Sequence, residues 1–279
     1  MIKKYSTIAL TGCSDSLKRK SKDDVIKLVS ELNSMGIKAK LYNSIFATES
    51  DSTQHPADRA RDLMSAFADP DVDAVFDITG GDAANAVLPY LDLALIKSNI
   101  KPFYAYSDNS VLLNPLHQRS GVPIYYYQIS SIIYNKVSLM RFDNLIHNGN
   151  ELYDFNYSML QGSSLCGKEI AGGNVRCTLK LFGTPYQPDF RDRVLFLESY
   201  GGSIERMETS FYQYKMAGAF DRCSSILLGN FSEIAQQSQL DTLYNTLITV
   251  VDNKDLPIAC TREIGHQSDS KCLDYQISF

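Results

Sequence analysis

The sequence predicts an α/β protein of two α/β domains: an N-terminal parallel sheet flanked by helices and a smaller C-terminal α/β domain, with a cleft between them of the kind that holds small-molecule sites. Three observations predict it. Short apolar runs alternate with amphipathic helical stretches through the first half, the pattern of repeated β-α-β units. Residues 129–163, rich in Asn and Tyr, break that alternation. The alternation then resumes to the end of a 279-residue chain, long enough for two cores. The expected boundaries are 1–128 for the first domain, 129–163 for a connecting segment of helix and loop, and 164–279 for the second domain.

Each element has its own signal. Thr7 to Leu10 is a short strand run broken at Thr11-Gly12. From Asp24 to Met35, Val25, Leu28, Val29 and Leu32 make one helical face, and Gly36 ends it. Ile37 to Leu41 alternates as a strand. Residues 56–67 are helical, with Pro56 in the first turn and Ala60, Leu63, Met64 and Phe67 on one side. Ala74 to Ile78 is a strand entering Thr79-Gly80-Gly81. A short helix from Ala83 cannot pass Pro89 unbent, and Asp92 can cap the next, Leu93 to Lys97. Phe103 to Tyr106 is a strand that delivers Ser107 to a turn, after which a helical pattern opens. In the second unit, Val194 to Leu197 is a strand ending at Glu198, 205–217 is helical, and Ser225 to Leu228 is a strand. Leu240 to Val251 is a helix, and Ile258 to Cys260 is a last strand before Ile264-Gly265-His266.

Composition excludes several classes. Hydrophobic residues are 44% and charged residues 21%, a soluble globular balance, and the net charge of −5 comes with no basic stripe, which argues against nucleic acid as a partner. No apolar run approaches a membrane span, and the start reads as no signal peptide. Six cysteines without CxxC pairing suggest reduced thiols in a cytoplasm. Four histidines without paired spacing give no metal site, and no cofactor motif is present.

Functional residues of α/β sheets gather at the carboxyl ends of strands. Gly80-Gly81, Ser107, Glu198 and His266 all fall at such ends. A serine needs a base to become a nucleophile near neutral pH. Histidine, with a pKa of about 6.5, can take and return the proton, and a carboxylate can orient the imidazole. Singly, each residue has an ordinary role: Ser107 as a helix cap, Glu198 as a solvated strand end, His266 on a loop carbonyl, Gly80-Gly81 as a turn. Their joint placement favours nucleophilic acyl transfer. His55, His117 and His147 read as structural or surface residues.

Three blocks carry a resemblance. ADRARDLMSAFADPDVDAVFDITGGDAANAVLPYLDLALIKSNIKPFYAYSD, AGGNVRCTLKLFGTPYQPDFRDRVLFLES and a short IGH stand in the order found in the LD-carboxypeptidase family of serine peptidases, which includes the microcin C immunity peptidases. The chain resembles that family from about residue 5 to 268. The resemblance implies a triad of Ser107 as nucleophile, Glu198 as acid and His266 as base. It also implies an oxyanion hole from the N–H of Asp108 and one from Gly80-Gly81, and usually a homodimer. The implied substrate is an L,D peptide bond, as at the terminal D-alanine of a cell-wall tetrapeptide; the immunity branch instead cuts an amino acid from a nucleotide-like toxin. A catalytically silent peptide-binding protein on the same scaffold is a third reading. Departures from the family are Ala105 for a usual Gly, Asp82 for a usual aromatic residue, the segment after Ser107, and a short tail after His266.

Overall fold

The computed structural model describes residues 4–50 and 52–279. In the first half the chain runs β1 (Thr7–Thr11), α1 (Lys22–Ser34), β2 (Lys38–Leu41), α2 (Pro56–Ala68), β3 (Ala74–Asp77), α3 (Leu93–Ser98), β4 (Phe103–Ala105), α4 (Ser110–Ser120) and β5 (Ile124–Tyr126). Then come α5 (Lys136–Ile146), β6 (Ser158–Gln161), β7 (Ile170–Asn174), α6 (Val175–Leu179) and β8 (Val194–Ser199). The remainder is α7 (Ile204–Met216), α8 (Ala219–Arg222), β9 (Ser225–Phe231), α9 (Ser232–Gln236), α10 (Leu240–Val251), β10 (Ile258–Cys260) and β11 (Leu273–Asp274).

Two sheets result, in the order β11-β5-β4-β3-β1-β2 and β6-β10-β9-β8-β7. Both are parallel except at one edge each, where β11 pairs antiparallel with β5 and β6 antiparallel with β10. The two-domain α/β architecture is the expected one. The chain crosses between the sheets more than once, because β6 joins the second sheet and β11 returns to the first.

The local signals act as expected at most elements. Asp92 accepts from the N–H groups of Ala94 and Leu95 and starts α3. Ala84–Tyr90 is a 3-10 helix that carries Pro89 inside it, so the proline bends the backbone into a tighter helix without ending it. Within 129–163, α5 is a regular helix: Asn135 caps it through Val137 and Ser138, and Ser138, Phe142, Leu145 and Ile146 are buried. That segment therefore holds more regular structure than its mixed composition suggests.

Apolar side chains form three layers of core. One lies between the first sheet and α1 and α5, with Leu10, Phe76, Leu28 and Phe142. Another lies between the second sheet and α7 and α10, with Leu197, Phe211 and Leu247. The third is shared: Ala9, Val75 and Phe103 of the first sheet pack with Leu112 and Leu116 of α4 and with Phe196 and Leu227 of the second. Helix α4 is thus buried between the sheets, and Asn114 fixes it there by donating to Gly172 O at 2.7 Å while accepting from Gly172 N–H at 2.8 Å.

Gly172 has φ of 116°, and a Cβ there would collide with the Phe196 carbonyl oxygen. Gly172→Ala is expected to destabilise the protein by about 2–4 kcal/mol, read as a lower urea midpoint. An unchanged midpoint would mean that β7 and β8 part at this position without cost.

Candidate active site

The first sheet ends in three loops that meet around Ser107. Ser107 has φ of 56°, in the left-handed region that a non-glycine residue rarely occupies. Ala105 sits inside β4, buried, and needs no positive φ, so its methyl is accommodated; the unusual backbone falls on the serine instead. The helix-cap role is not what Ser107 does: Asn109 holds the N-cap position of α4, with no side-chain cap bond. The turn is held from several sides. Tyr126 Oη accepts from the Ser107 N–H at 2.9 Å, and Ser110 Oγ donates to Ser107 O at 2.7 Å. Asn109 donates to Asp77 Oδ1 at 3.0 Å and to Thr79 O at 2.9 Å.

Asp77 is buried and also accepts from Cys13 N–H at 2.6 Å and from the Thr79 hydroxyl at 2.8 Å, which ties the ends of β1 and β3 to the serine turn. Arg59, 2% exposed, donates to the carbonyls of Cys13, Ser14 and Ala83 and locks the neighbouring loops. A Cβ placed on Gly80 would lie 3.9 Å from Ser107 Oγ, so the Gly80-Gly81 loop lies beside the hydroxyl. Gly81 has φ of 142°, and a side chain there would strike the Asp15 carboxylate, which accepts from Ala83 N–H at 3.1 Å. Asp108 is buried: Ser14 Oγ and Ala84 N–H donate to its Oδ2, and Lys180 Nζ donates to its Oδ1 at 2.5 Å.

The second sheet supplies the acid and the imidazole. Glu198 is fully buried. Its Oε2 lies 2.6 Å from His266 Nδ1; its Oε1 accepts from Tyr126 Oη at 2.6 Å and from Asn174 Nδ2 at 3.0 Å. Burial pulls the His266 pKa down, but the charge of Glu198 and the hydrogen bond to it outweigh burial and hold the imidazole above its ordinary value. Burial, and after it the Glu198 charge, pushes the Tyr126 hydroxyl far up, so it stays protonated and donates. The His266 ring packs against Tyr106 at 5.6 Å and Tyr200 at 5.3 Å between centroids.

Ser107 and His266 line one cavity of about 1050 Å3, with Gly80, Gly81, Asp82, Arg176 and Tyr200 also in its wall. All the strand-end residues singled out in the sequence are therefore brought to one place. Tyr126 and Asn174 were not singled out for this role. Asn174 ends an apolar run as Glu198 does, a signal that was present; Tyr126 is one of three consecutive tyrosines, which nothing local distinguishes. The other histidines do structural work: His55 caps α2 through Ala57 N–H, His117 Nδ1 meets Val122 O, and His147 Nδ1 meets Asp143 O.

Two mostly parallel sheets flank a cleft lined by serine and histidine, and the family models that match the chain put it in the class of peptidase hydrolases. The chain belongs to the LD-carboxypeptidase family: residues 8–127 match the family's N-terminal domain and residues 168–278 its C-terminal domain. It is 25% identical to a probable murein peptide carboxypeptidase of Bacillus subtilis, covering 86% of this chain and 78% of that one. It is also 25% identical to the microcin C7 self-immunity protein of Escherichia coli, over 75% of this chain and 71% of that one. Among solved structures, an MccF-like protein from Bacillus anthracis superposes with a TM-score of 0.85 at 22% identity, covering 98% of this chain and 92% of the other. Among the described residues, no helix is long and apolar enough to cross a membrane.

Because the folded His266 pKa is raised, the ion pair with Glu198 contributes its full stability below the unfolded value of about 6.5 and loses it as pH rises through the folded value. In Glu198→Gln, burial remains without the opposing charge, so the His266 midpoint, followed by NMR of the imidazole nitrogens, is expected to fall below 6.5. A midpoint that stays raised would show that Glu198 does not set it.

Proposed function

We propose that the protein is a serine carboxypeptidase that hydrolyses an L,D peptide bond and releases the terminal D-alanine of a muropeptide tetrapeptide. The observation that carries this reading is the continuous set of contacts from Ser107 through Tyr126 to Glu198 and on to His266, at the wall of one cavity. Family membership supports it.

In this reading Ser107 Oγ attacks the scissile carbonyl carbon and His266 Nε2 takes its proton. Nε2 is the nitrogen left for this task, because Nδ1 faces Glu198. Glu198 orients the ring and stabilises its cation. The N–H groups of Asp108 and of Gly80-Gly81 receive the developing oxyanion; their loops flank the serine, and such preorganised donors contribute a large share of acyl-transfer catalysis. Collapse expels the D-alanine amine, which takes the proton back from His266. Water then attacks the acyl-serine with His266 as base and frees the tripeptide. The left-handed backbone of Ser107 suits a nucleophile elbow, where strain presents the hydroxyl. Residues 1–128 supply the nucleophile, and residues 164–279 the acid and base.

A second reading has an observation of its own. Tyr200 is 66% exposed and lines the cavity, so its ring is open to stack on a base, and a relative is a microcin self-immunity protein. Cleavage of an aminoacyl-nucleotide conjugate is the outcome it would give.

Incubation with L-Ala-γ-D-Glu-diaminopimelate-D-Ala, read by mass spectrometry, is expected to show loss of one alanine, reduced by roughly ten-thousand-fold in Ser107→Ala. No loss from the tetrapeptide, with turnover of an aminoacyl-sulfamoyl adenosine, would transfer the assignment to the second reading. Tyr126→Phe removes a donor to Glu198 and the acceptor for Ser107 N–H, and is expected to lower kcat about 10- to 100-fold with little change in KM. An equal rise in KM would place Tyr126 in substrate binding instead.

A further inference from the structure

A carboxypeptidase must distinguish a chain end from an internal bond, and the chemical difference is a free carboxylate. One tetrahedral carbon separates that carboxylate from the scissile nitrogen, so its receptor lies close to the nucleophile, and a guanidinium, which pairs with a carboxylate in a fork, suits the task. Two arginines line the cavity, Arg176 and Arg206. Arg206 lies in α7, which carries Glu205 beside it in the same wall. Arg176 lies in α6 and makes an ion pair with Asp82, two residues from the Gly80 that borders Ser107 Oγ. Arg176 is therefore tied to the loop that borders Ser107.

We propose that Arg176, held by Asp82, is the receptor for the free α-carboxylate of the leaving residue, and so the residue that makes the enzyme act on chain ends. This rests on the carboxypeptidase reading above. Asp82 engages Nη1 of the guanidinium, and among the described residues no other group binds Arg176, so Nε and Nη2 remain to take a carboxylate in a two-pronged contact. Both partners are 64% exposed, and an exposed pair of this kind is weak enough to be shared with an incoming anion. Lys180 supports the arrangement from behind. It donates to Asp82 O at 3.0 Å, lies 3.6 Å from Asp82 Oδ1 and bonds Asp108, the neighbour of the serine. Arg176 and Lys180 come from the second domain and Asp82 and Asp108 from the first, so the receptor is assembled only where the two domains meet.

The test uses full-length Ser107→Ala protein and two peptides, the tetrapeptide with a free C-terminus and the same peptide amidated, with binding measured by calorimetry. The free acid is expected to bind about 10- to 100-fold more tightly. Adding Arg176→Met should bring the two within about two-fold by weakening only the acid. Adding Asp82→Asn, which removes the group that holds the guanidinium, should narrow the preference. A preference that survives Arg176→Met, an equal weakening of both peptides, or no binding of either would overturn the proposal. Turnover by the protein with Ser107 intact separates the two readings: D-alanine release with the acid preference unaltered in Arg176→Met refutes the receptor alone, whereas no release refutes the carboxypeptidase reading itself.

Discussion

The Glu198 carboxylate is the constraint on which the site depends. It is fully buried, and an isolated charge there would be untenable without several donors. It finds them in Tyr126, Asn174 and His266. Tyr126 comes from the first sheet and the other two from the second domain, so satisfying one charge fixes how the two halves meet. The same bonds set the orientation of His266 and, through Tyr126, the position of the Ser107 amide.

That arrangement needs rigid support, and the shared core supplies it. Helix α4 begins beside Ser107 and is buried between the sheets, with Asn114 bonded to Gly172 on the far side. The serine turn thus cannot relax from its left-handed backbone without disturbing packing on both sheets. Asp77 and Arg59 do the same for the loops that flank it, each collecting several bonds in a dry environment where an unpaired group would be costly. In the proposed mechanism, preorganisation of this kind lets the Ser107 hydroxyl and the flanking N–H groups act without rearrangement.

The departures from the family pattern are accommodated in physical terms. Ala105 lies in regular strand. Asp82 meets Arg176 and Lys180, so a charged cluster occupies the place of an aromatic ring. The short tail after His266 is used structurally: β11 closes the first sheet, and Tyr275, buried, donates to Gly172 O at 3.1 Å.

The sequence by itself determined the class of fold, most helices, and the chemical identities at the strand ends. Periodicity, capping residues such as Asp92 and turn glycines act over a few neighbours, and a strand that ends in Ser, Glu or a Gly pair can be read without knowing its partners. Strands of two or three residues, such as β5 and β11, carry too few positions for a period, and their existence depends on pairing with distant segments. Only the tertiary structure decided that Tyr126 would join Ser107 to Glu198, that Asn174 would complete the shell of the acid, and that Arg176 would face Asp82. Those contacts link residues from 19 to 94 positions apart, and nothing local in the chain encodes which of its 17 tyrosines or 27 basic residues will make them.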